Sequence, residues 1–362
     1  MAPRPILNMA GGTGGHVFPA LALARVLRAG SLEVVWLGTQ RGLEARIVPA
    51  ERIPIEWLSV GGLRGKGALT LLAAPFRLLL ALAQALRVMW RHRPAAVVGL
   101  GGFVTGPGGV AAWLTRCPLI IHEQNAVAGF TNRCLAPLAR EVLEAFPGSF
   151  GTRAHARAIG NPVRDEILAL PPPEARMVKR SGAVRVLVIG GSQGASRLNT
   201  VVPFALARLG STPAIEVRHQ SGMRWLEAAR QNYASAGARA EVVPFIEDMA
   251  EAYAWADLVV CRSGALTISE LAAAGVGAIL VPFPQAVDDH QSANARYLLS
   301  AGAAVLIADR ELTPERLASE LTRLCADRAA LLTMAANARR LARPQATTEL
   351  AQACRELAGS AA

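Results

Sequence analysis

Ile6-Leu7-Asn8-Met9-Ala10-Gly11-Gly12-Thr13-Gly14-Gly15-His16-Val17-Phe18-Pro19 is the stretch on which the reading of the fold turns. A short apolar run enters a glycine turn and leaves it as a helical period over Pro19–Arg28, the grammar of a strand, a tight turn and a helix. Glycines there let backbone N–H groups approach an anion closely, and a helix start adds a favourable dipole. About half the chain later the same grammar returns: Val184–Ile189 runs into Gly190-Gly191-Ser192-Gln193-Gly194-Ala195.

Working outward, short apolar runs alternate with helical stretches throughout. The first series of strands is expected at Ile6–Met9, Val34–Leu37, Ile55–Leu58, Ala96–Leu100, Leu119–His122 and Val142–Ala145. The second is expected at Val184–Ile189, Ala214–His219, Ala240–Phe245, Leu258–Cys261, Ala278–Val281 and Ala304–Ala308. Helical stretches include Ala195–Ala207, Leu266–Ala274 and His290–Leu299. Nearly continuous apolar strands separated by helices imply parallel sheets covered on both faces. The expected architecture is therefore α/β, with two Rossmann-like domains whose parallel sheets face across a cleft. They span 1–160 and 161–343, hinged near Gly160–Arg164. A helix over 344–362 is expected to pack on one of them, the first by preference, and Pro171–Arg180 reads as a surface loop.

The 362 residues suit two domains of about 150 residues each. The net charge of +11 fits anionic substrates, anionic lipid or nucleic acid. With 5% aromatic residues and no zinc-finger or RNP-like pattern, nucleic acid is not an expected partner. Five cysteines without a CxxC pair argue against a disulfide framework and a zinc site, and so for a reducing cytosol. The first residues lack the apolar core of a signal peptide. Ala68–Trp90 is the one candidate span, but Pro75, Arg77, Gln84 and Arg87 interrupt it. It reads instead as a helix with a wide apolar face, ending in Arg91-His92-Arg93.

The glycine turn at Gly11 is not a dinucleotide fingerprint: read from Gly12, the third glycine falls on Val17, and Leu37-Gly38-Thr39-Gln40 lacks the acidic residue for a ribose. No Gly-Lys-Ser/Thr follows, so it is not a P-loop. From the residues alone it serves either as a phosphate cradle or as a tight turn, and His16 either as a proton acceptor or as a helix-terminal contact. Gly101-Gly102-Phe103-Val104-Thr105-Gly106-Pro107-Gly108-Gly109 and His122-Glu123-Gln124-Asn125 follow later strands, on the edge where open α/β sheets place ligands. The second of these also fits a purely structural hydrogen-bond network. In the second half, Ser192 adds a hydroxyl to its glycine turn, and Arg164 is placed to neutralise a diphosphate there. Arg262-Ser263-Gly264-Ala265-Leu266-Thr267-Ile268-Ser269-Glu270 opens a helix. Glu270 is either a carboxylate for ribose hydroxyls or the far half of a capping box with Thr267. Asp288-Asp289-His290-Gln291 and Asn294 form a last polar set. There is no D-x-D and no metal-ligand spacing, so no metal or cofactor is expected and diphosphate charge falls to backbone amides, helix dipoles and Arg164.

Together these motifs closely resemble the MurG family of GT-B glycosyltransferases, across nearly the whole chain and in the family's order. The carriers are GGTGGHVFPALALA from Gly11, GLRGKG from Gly62, GGFVTGPGG from Gly101, HEQN from His122, GNPVR from Gly160, GGSQGAS from Gly190, CRSGALTISE from Cys261 and DDHQSANA from Asp288. The resemblance implies transfer of N-acetylglucosamine from UDP-N-acetylglucosamine to lipid I, with inversion and a β-1,4 bond. It implies that Ser192, Arg164, Ile246, Gln291 and the run Ala265, Leu266, Thr267, Ile268, Ser269 and Glu270 bind the nucleotide sugar. Thr13, Gly14, Gly15 and Asn125 then reach the sugar or the transfer centre. His16 matches the family's proposed base, and the N-terminal glycine loops receive the acceptor diphosphate. The apolar, basic-flanked surface over Leu71–Arg93, with Trp113, matches a patch that seats the enzyme peripherally on the cytoplasmic leaflet, against anionic lipid. Ser196 departs from relatives that carry arginine there, and Arg197 is the neighbouring substitute. Rival readings are a UDP-N-acetylglucosamine 2-epimerase, a non-catalytic sugar-nucleotide sensor and an NAD oxidoreductase.

Overall fold

A computed structural model describes residues 4–61, 74–190, 195–209, 214–284 and 289–360. The chain forms two compact units, 1–162 with 344–362, and 163–343.

In the first unit, β1 (Ile6–Ala10), β2 (Val34–Gly38), β3 (Ile55–Trp57), β4 (Ala96–Gly101), β5 (Leu119–Glu123), β6 (Glu141–Glu144) and β7 (Ala156–Ala158) lie in the order β3-β2-β1-β4-β5-β6-β7. All of these pairings are parallel. The strands β1, β2, β4 and β5 are buried along their whole length, as the continuous apolar runs require. The helix Gly14–Ala29 covers one face with Val17, Ala20, Leu21, Leu23, Ala24 and Leu27. The helix Ala346–Ser360 packs on it, adding Leu350, Ala351, Ala353 and Cys354 to the same core. Trp36 is fully buried in that core, and its indole N–H donates to the Ala10 carbonyl at 2.8 Å.

In the second unit, β8 (Val184–Ile189), β9 (Ile215–Gln220), β10 (Glu241–Val243), β11 (Leu258–Cys261), β12 (Gly277–Leu280) and β13 (Ala304–Leu306) lie in the order β10-β9-β8-β11-β12-β13, again all parallel. In both sheets the order reverses at the strand that precedes the glycine turn, between β1 and β4 and between β8 and β11. Such switch points leave a crevice at the carboxyl ends of the strands.

The expected strands all form, with ends shifted by at most two residues. One more, β7, was invisible because Ala156-Arg157-Ala158 has no apolar run. Pro171–Arg180 is not simply a loop: it contains the short helix Pro173–Met177, opened by Pro173 and Glu174. It is anchored because Arg176 donates to the carbonyls of Pro171, Tyr253, Ala274 and Gly275. Arg180 similarly binds Asp257 and the carbonyls of Trp255 and Ala256. Burial and the neighbouring Arg180 and Arg339 lower the Arg176 guanidinium to about 10.

Candidate active site

In the first unit the turn after β1 is held open by a buried carboxylate. Gly12 has φ +92°, and its N–H donates to Glu44 Oε2 at 2.9 Å. Glu44 is fully buried and also accepts from the Thr39 N–H and hydroxyl, at 2.9 and 2.7 Å. The Gly12 amide is thus committed to the protein. The amides that open the helix, those of Gly14 and Gly15 after the N-cap Thr13, precede the first i→i−4 bond, Val17 N–H to Thr13 O. They are the groups a helix start offers to an anion.

The turn after β4 interlocks with this one. Gly101 and Gly102 have φ of +110° and +87°. A Cβ on Gly101 would stand 2.4 Å from His16 Nδ1, and one on Gly102 would stand 2.4 Å from the Gly11 carbonyl oxygen. Only glycine permits that approach. Gly108 and Gly109 do different work: they lie inside the helix Thr105–Leu114, pressed against Met9 and Leu135. His16, half-buried on the first helical turn, places Nδ1 3.0 Å from both the Leu100 carbonyl and Gln124 Oε1.

The segment after β5 completes this edge. Gln124 Nε2 lies 3.1 Å from His122 Nδ1, and His122 Nε2 lies 2.9 Å from the Gly160 carbonyl. His122 is fully buried, and desolvation pushes its imidazole below the usual histidine range. Glu123 accepts from the Asn125 N–H and side chain, the Gly129 N–H and Asn132. The structural reading of this motif therefore holds for Glu123, which braces the loop. Asn125 is half-buried at its surface.

In the second unit, Ser192 and its glycine neighbours 191–194 lie outside the described residues, as do Asp288 and the Gly62–Gly67 motif. Arg164 and Glu270 come together as an ion pair at 2.8 Å. The helix Ala265–Ala274 is capped by Gly264 with no side-chain cap, so Thr267 and Glu270 do not form a capping box. Instead Glu270 Oε2 accepts from the hydroxyl of buried Tyr253 at 3.1 Å. Burial first, and then the Glu270 charge, push that phenol well above its ordinary range, so it stays a donor. Tyr253 escaped the sequence reading because nothing in Ala252-Tyr253-Ala254 links it to residue 270.

Ala265, Leu266 and Thr267 supply the opening amides of that helix. Ile268 is fully buried, so only its backbone is available, and the Ser269 hydroxyl is turned back to the Ala265 carbonyl at 3.1 Å. The Ile246 N–H already donates to Gln220 Oε1 at 3.0 Å. Gln291 accepts from the Phe283 N–H at 2.9 Å, and its carbonyl accepts from Ser263 at 2.8 Å. Among the described residues, no group of three His, Cys, Asp or Glu is arranged to hold a metal ion.

Residues 6–144 match the glycosyltransferase family 28 N-terminal domain, and 185–351 match the corresponding C-terminal domain. With a parallel sheet in each unit and polar groups gathered at both switch points, the class of protein is a two-domain GT-B glycosyltransferase. The chain is 58% identical, over 98% of both sequences, to the UDP-N-acetylglucosamine–N-acetylmuramyl-(pentapeptide) pyrophosphoryl-undecaprenol N-acetylglucosamine transferase of Nitrosococcus oceani. Its counterpart in Marinobacter nauticus is 57% identical over 98% of both. The crystal structure of Acinetobacter baumannii MurG superposes with a TM-score of 0.86 at 42% identity, covering 98% of this chain and 100% of that one. The chain belongs to the MurG family within glycosyltransferase family 28 and is an N-acetylglucosaminyltransferase. A Neisseria meningitidis UDP-GlcNAc 2-epimerase shares the fold alone, with a TM-score of 0.67 at 11% identity over 97% of this chain and 100% of that one.

Proposed function

We propose that the enzyme transfers N-acetylglucosamine from UDP-N-acetylglucosamine to the muramoyl 4-hydroxyl of lipid I, with inversion and without a metal, giving lipid II. The observation that carries this reading is the 58% identity, over 98% of both chains, to a transferase whose name states donor and acceptor. The first-unit geometry supports the chemistry, because the interlocked turns fix the His16 ring at the mouth of the β1/β4 switch point. His16 takes the proton of the acceptor hydroxyl as its oxygen attacks the anomeric carbon. The bond to the UDP oxygen breaks, and the leaving charge is met by Arg164, Ser192 and the opening amides at Ala265, Leu266 and Thr267. Glu270 holds the ribose hydroxyls, while Ile246 and Gln291 contact the nucleotide. Thr13, Gly14, Gly15 and Asn125 contact the sugar or the acceptor, whose diphosphate meets the Gly14 and Gly15 amides.

The helix Ala74–His92 supports a membrane-facing role on the cytoplasmic leaflet. It buries Ala81, Ala85, Val88 and Met89 and exposes Phe76, Leu78, Leu79, Leu80 and Trp90 beside Arg77, Arg87 and Arg91. An apolar face flanked by cations suits the surface of an anionic bilayer. No described helix is long and apolar enough to cross a membrane.

The test is incubation of labelled UDP-N-acetylglucosamine with and without lipid I, each with and without a chelator. UDP released only with lipid I, unaffected by chelator, together with a β-linked product, is the expected result. Release without acceptor, a mannosamine isomer, or chelator-sensitive turnover each contradicts the corresponding part.

A further inference from the structure

The polar contacts behind His16 can be given directions, because two of their ends are carbonyls that only accept. Gln124 Nε2 lies 3.1 Å from the His122 backbone carbonyl. A flipped amide would set two oxygens against each other there, so the NH2 faces His122 and the amide oxygen faces His16. That NH2 then also donates to His122 Nδ1, 3.1 Å away. His122, neutral in its buried position, must carry its proton on Nε2, and Nε2 does face the Gly160 carbonyl at 2.9 Å. At the other end, His16 Nδ1 faces two acceptors at 3.0 Å, the Leu100 carbonyl and Gln124 Oε1. Nδ1 must therefore hold the proton, and in the neutral ring Nε2 holds the lone pair.

We infer that Gln124 is a positioning residue for the transfer reaction, an amide oriented by His122 that keeps His16 in the tautomer whose Nε2 can accept the acceptor's proton. This rests on the reading of His16 as base. Leu100 contributes a fixed carbonyl; Gln124 adds the second acceptor, which holds the ring plane and strengthens as the imidazolium forms. An amide does this without net charge. The carboxylates on the surrounding elements are engaged elsewhere: Glu44 by Gly12 and Thr39, and Glu123 by Asn125, Gly129 and Asn132. The second acceptor at Nδ1 is therefore neutral, where other histidine bases are backed by a carboxylate.

The experiment measures kcat and kcat/KM against pH for the full chain, with UDP-N-acetylglucosamine and lipid I, in wild type, Q124E, Q124L and H16A. A carboxylate at 124 favours the imidazolium, so Q124E should move the acid limb of kcat/KM to higher pH. Q124L removes an acceptor and should move it to lower pH, with kcat down roughly tenfold and donor KM within about twofold. A residue that only supports the fold would not shift the two variants in opposite directions. Coincident limbs with an inactive H16A overturn the role of Gln124 and leave His16 as base. A near-normal kcat in H16A overturns both. Independently of any variant, ¹⁵N spectra of histidine-labelled wild type should show His16 protonated at Nδ1 and bare at Nε2. The opposite tautomer overturns the inference even if Q124L fails to fold.

Discussion

Glu270 shows how a residue's role changes when its neighbours become known. The sequence left it as either a ribose acceptor or half of a capping box; the structure removes the box and pairs it with Arg164 and Tyr253. The Arg164 side chain is 42% exposed and that of Glu270 is 15%, so the ion pair is partly screened and worth no more than about 1 kcal/mol. In the proposed function, a nucleotide diphosphate draws Arg164 away at little cost while the Tyr253 hydroxyl continues to hold Glu270. Tyr253→Phe should raise the donor KM roughly tenfold, the worth of one hydrogen bond to a charged group, and leave kcat nearly unchanged. Steady-state kinetics with varied UDP-N-acetylglucosamine would show it; an equal fall in kcat would place Tyr253 in the chemistry instead. His16 was legible as a candidate base from its place after the glycine turn. Its fixed orientation was not, because Leu100 and Gln124 are remote in sequence.

Elements reveal a different limit. The helix Gly14–Ala29 begins five residues before the apolar period that announced it, because Gly14 and Gly15 have poor helix propensity and form a first turn only when the strand delivers them there. In Gly101–Gly109 the residues look alike on paper but separate into two purposes, Gly101 and Gly102 for interlocking turns, Gly108 and Gly109 for helix–sheet contact. The helix expected over Ala68–Trp90 from its wide apolar face and basic end is seen as Ala74–His92, with 68–73 outside the described residues. Phe76 and Leu79 are 76% and 63% exposed, so replacing both with glutamate should not lower the melting temperature. The double variant should lose roughly tenfold or more in binding to anionic vesicles, while turnover of a soluble acceptor analogue stays near wild type. Unchanged vesicle sedimentation would remove this face as the membrane contact.

Over the whole molecule, buried histidines tie stability to pH. His219 is fully buried between Tyr233 and Asn199, and desolvation lowers it from 6.5 to about 4. Its folded value lies below its unfolded one, so the unfolded chain binds the extra proton and stability rises with pH across that window. The contribution is complete above about pH 6.5 and is lost as pH falls through about 4, on the order of 3 kcal/mol in all. Urea unfolding of the full chain at pH 7 and pH 4.5 should show that loss in the transition of residues 163–343. His219→Gln should flatten the dependence; a slope unchanged by that substitution would assign it to other groups.

The sequence by itself determined the two parallel sheets, since strands buried on both faces must be apolar along their length and the helices between them must be periodic. It also determined the family, because the glycine turns and polar motifs follow one another in the family's order along nearly the whole chain. Only the tertiary structure decided which polar atoms meet: Glu44 under Gly12, Gln124 behind His16, Tyr253 against Glu270. Those partners sit on different strands and helices, and hydrogen bonds acting over about 3 Å are set by how the elements pack, which no local pattern of residues encodes.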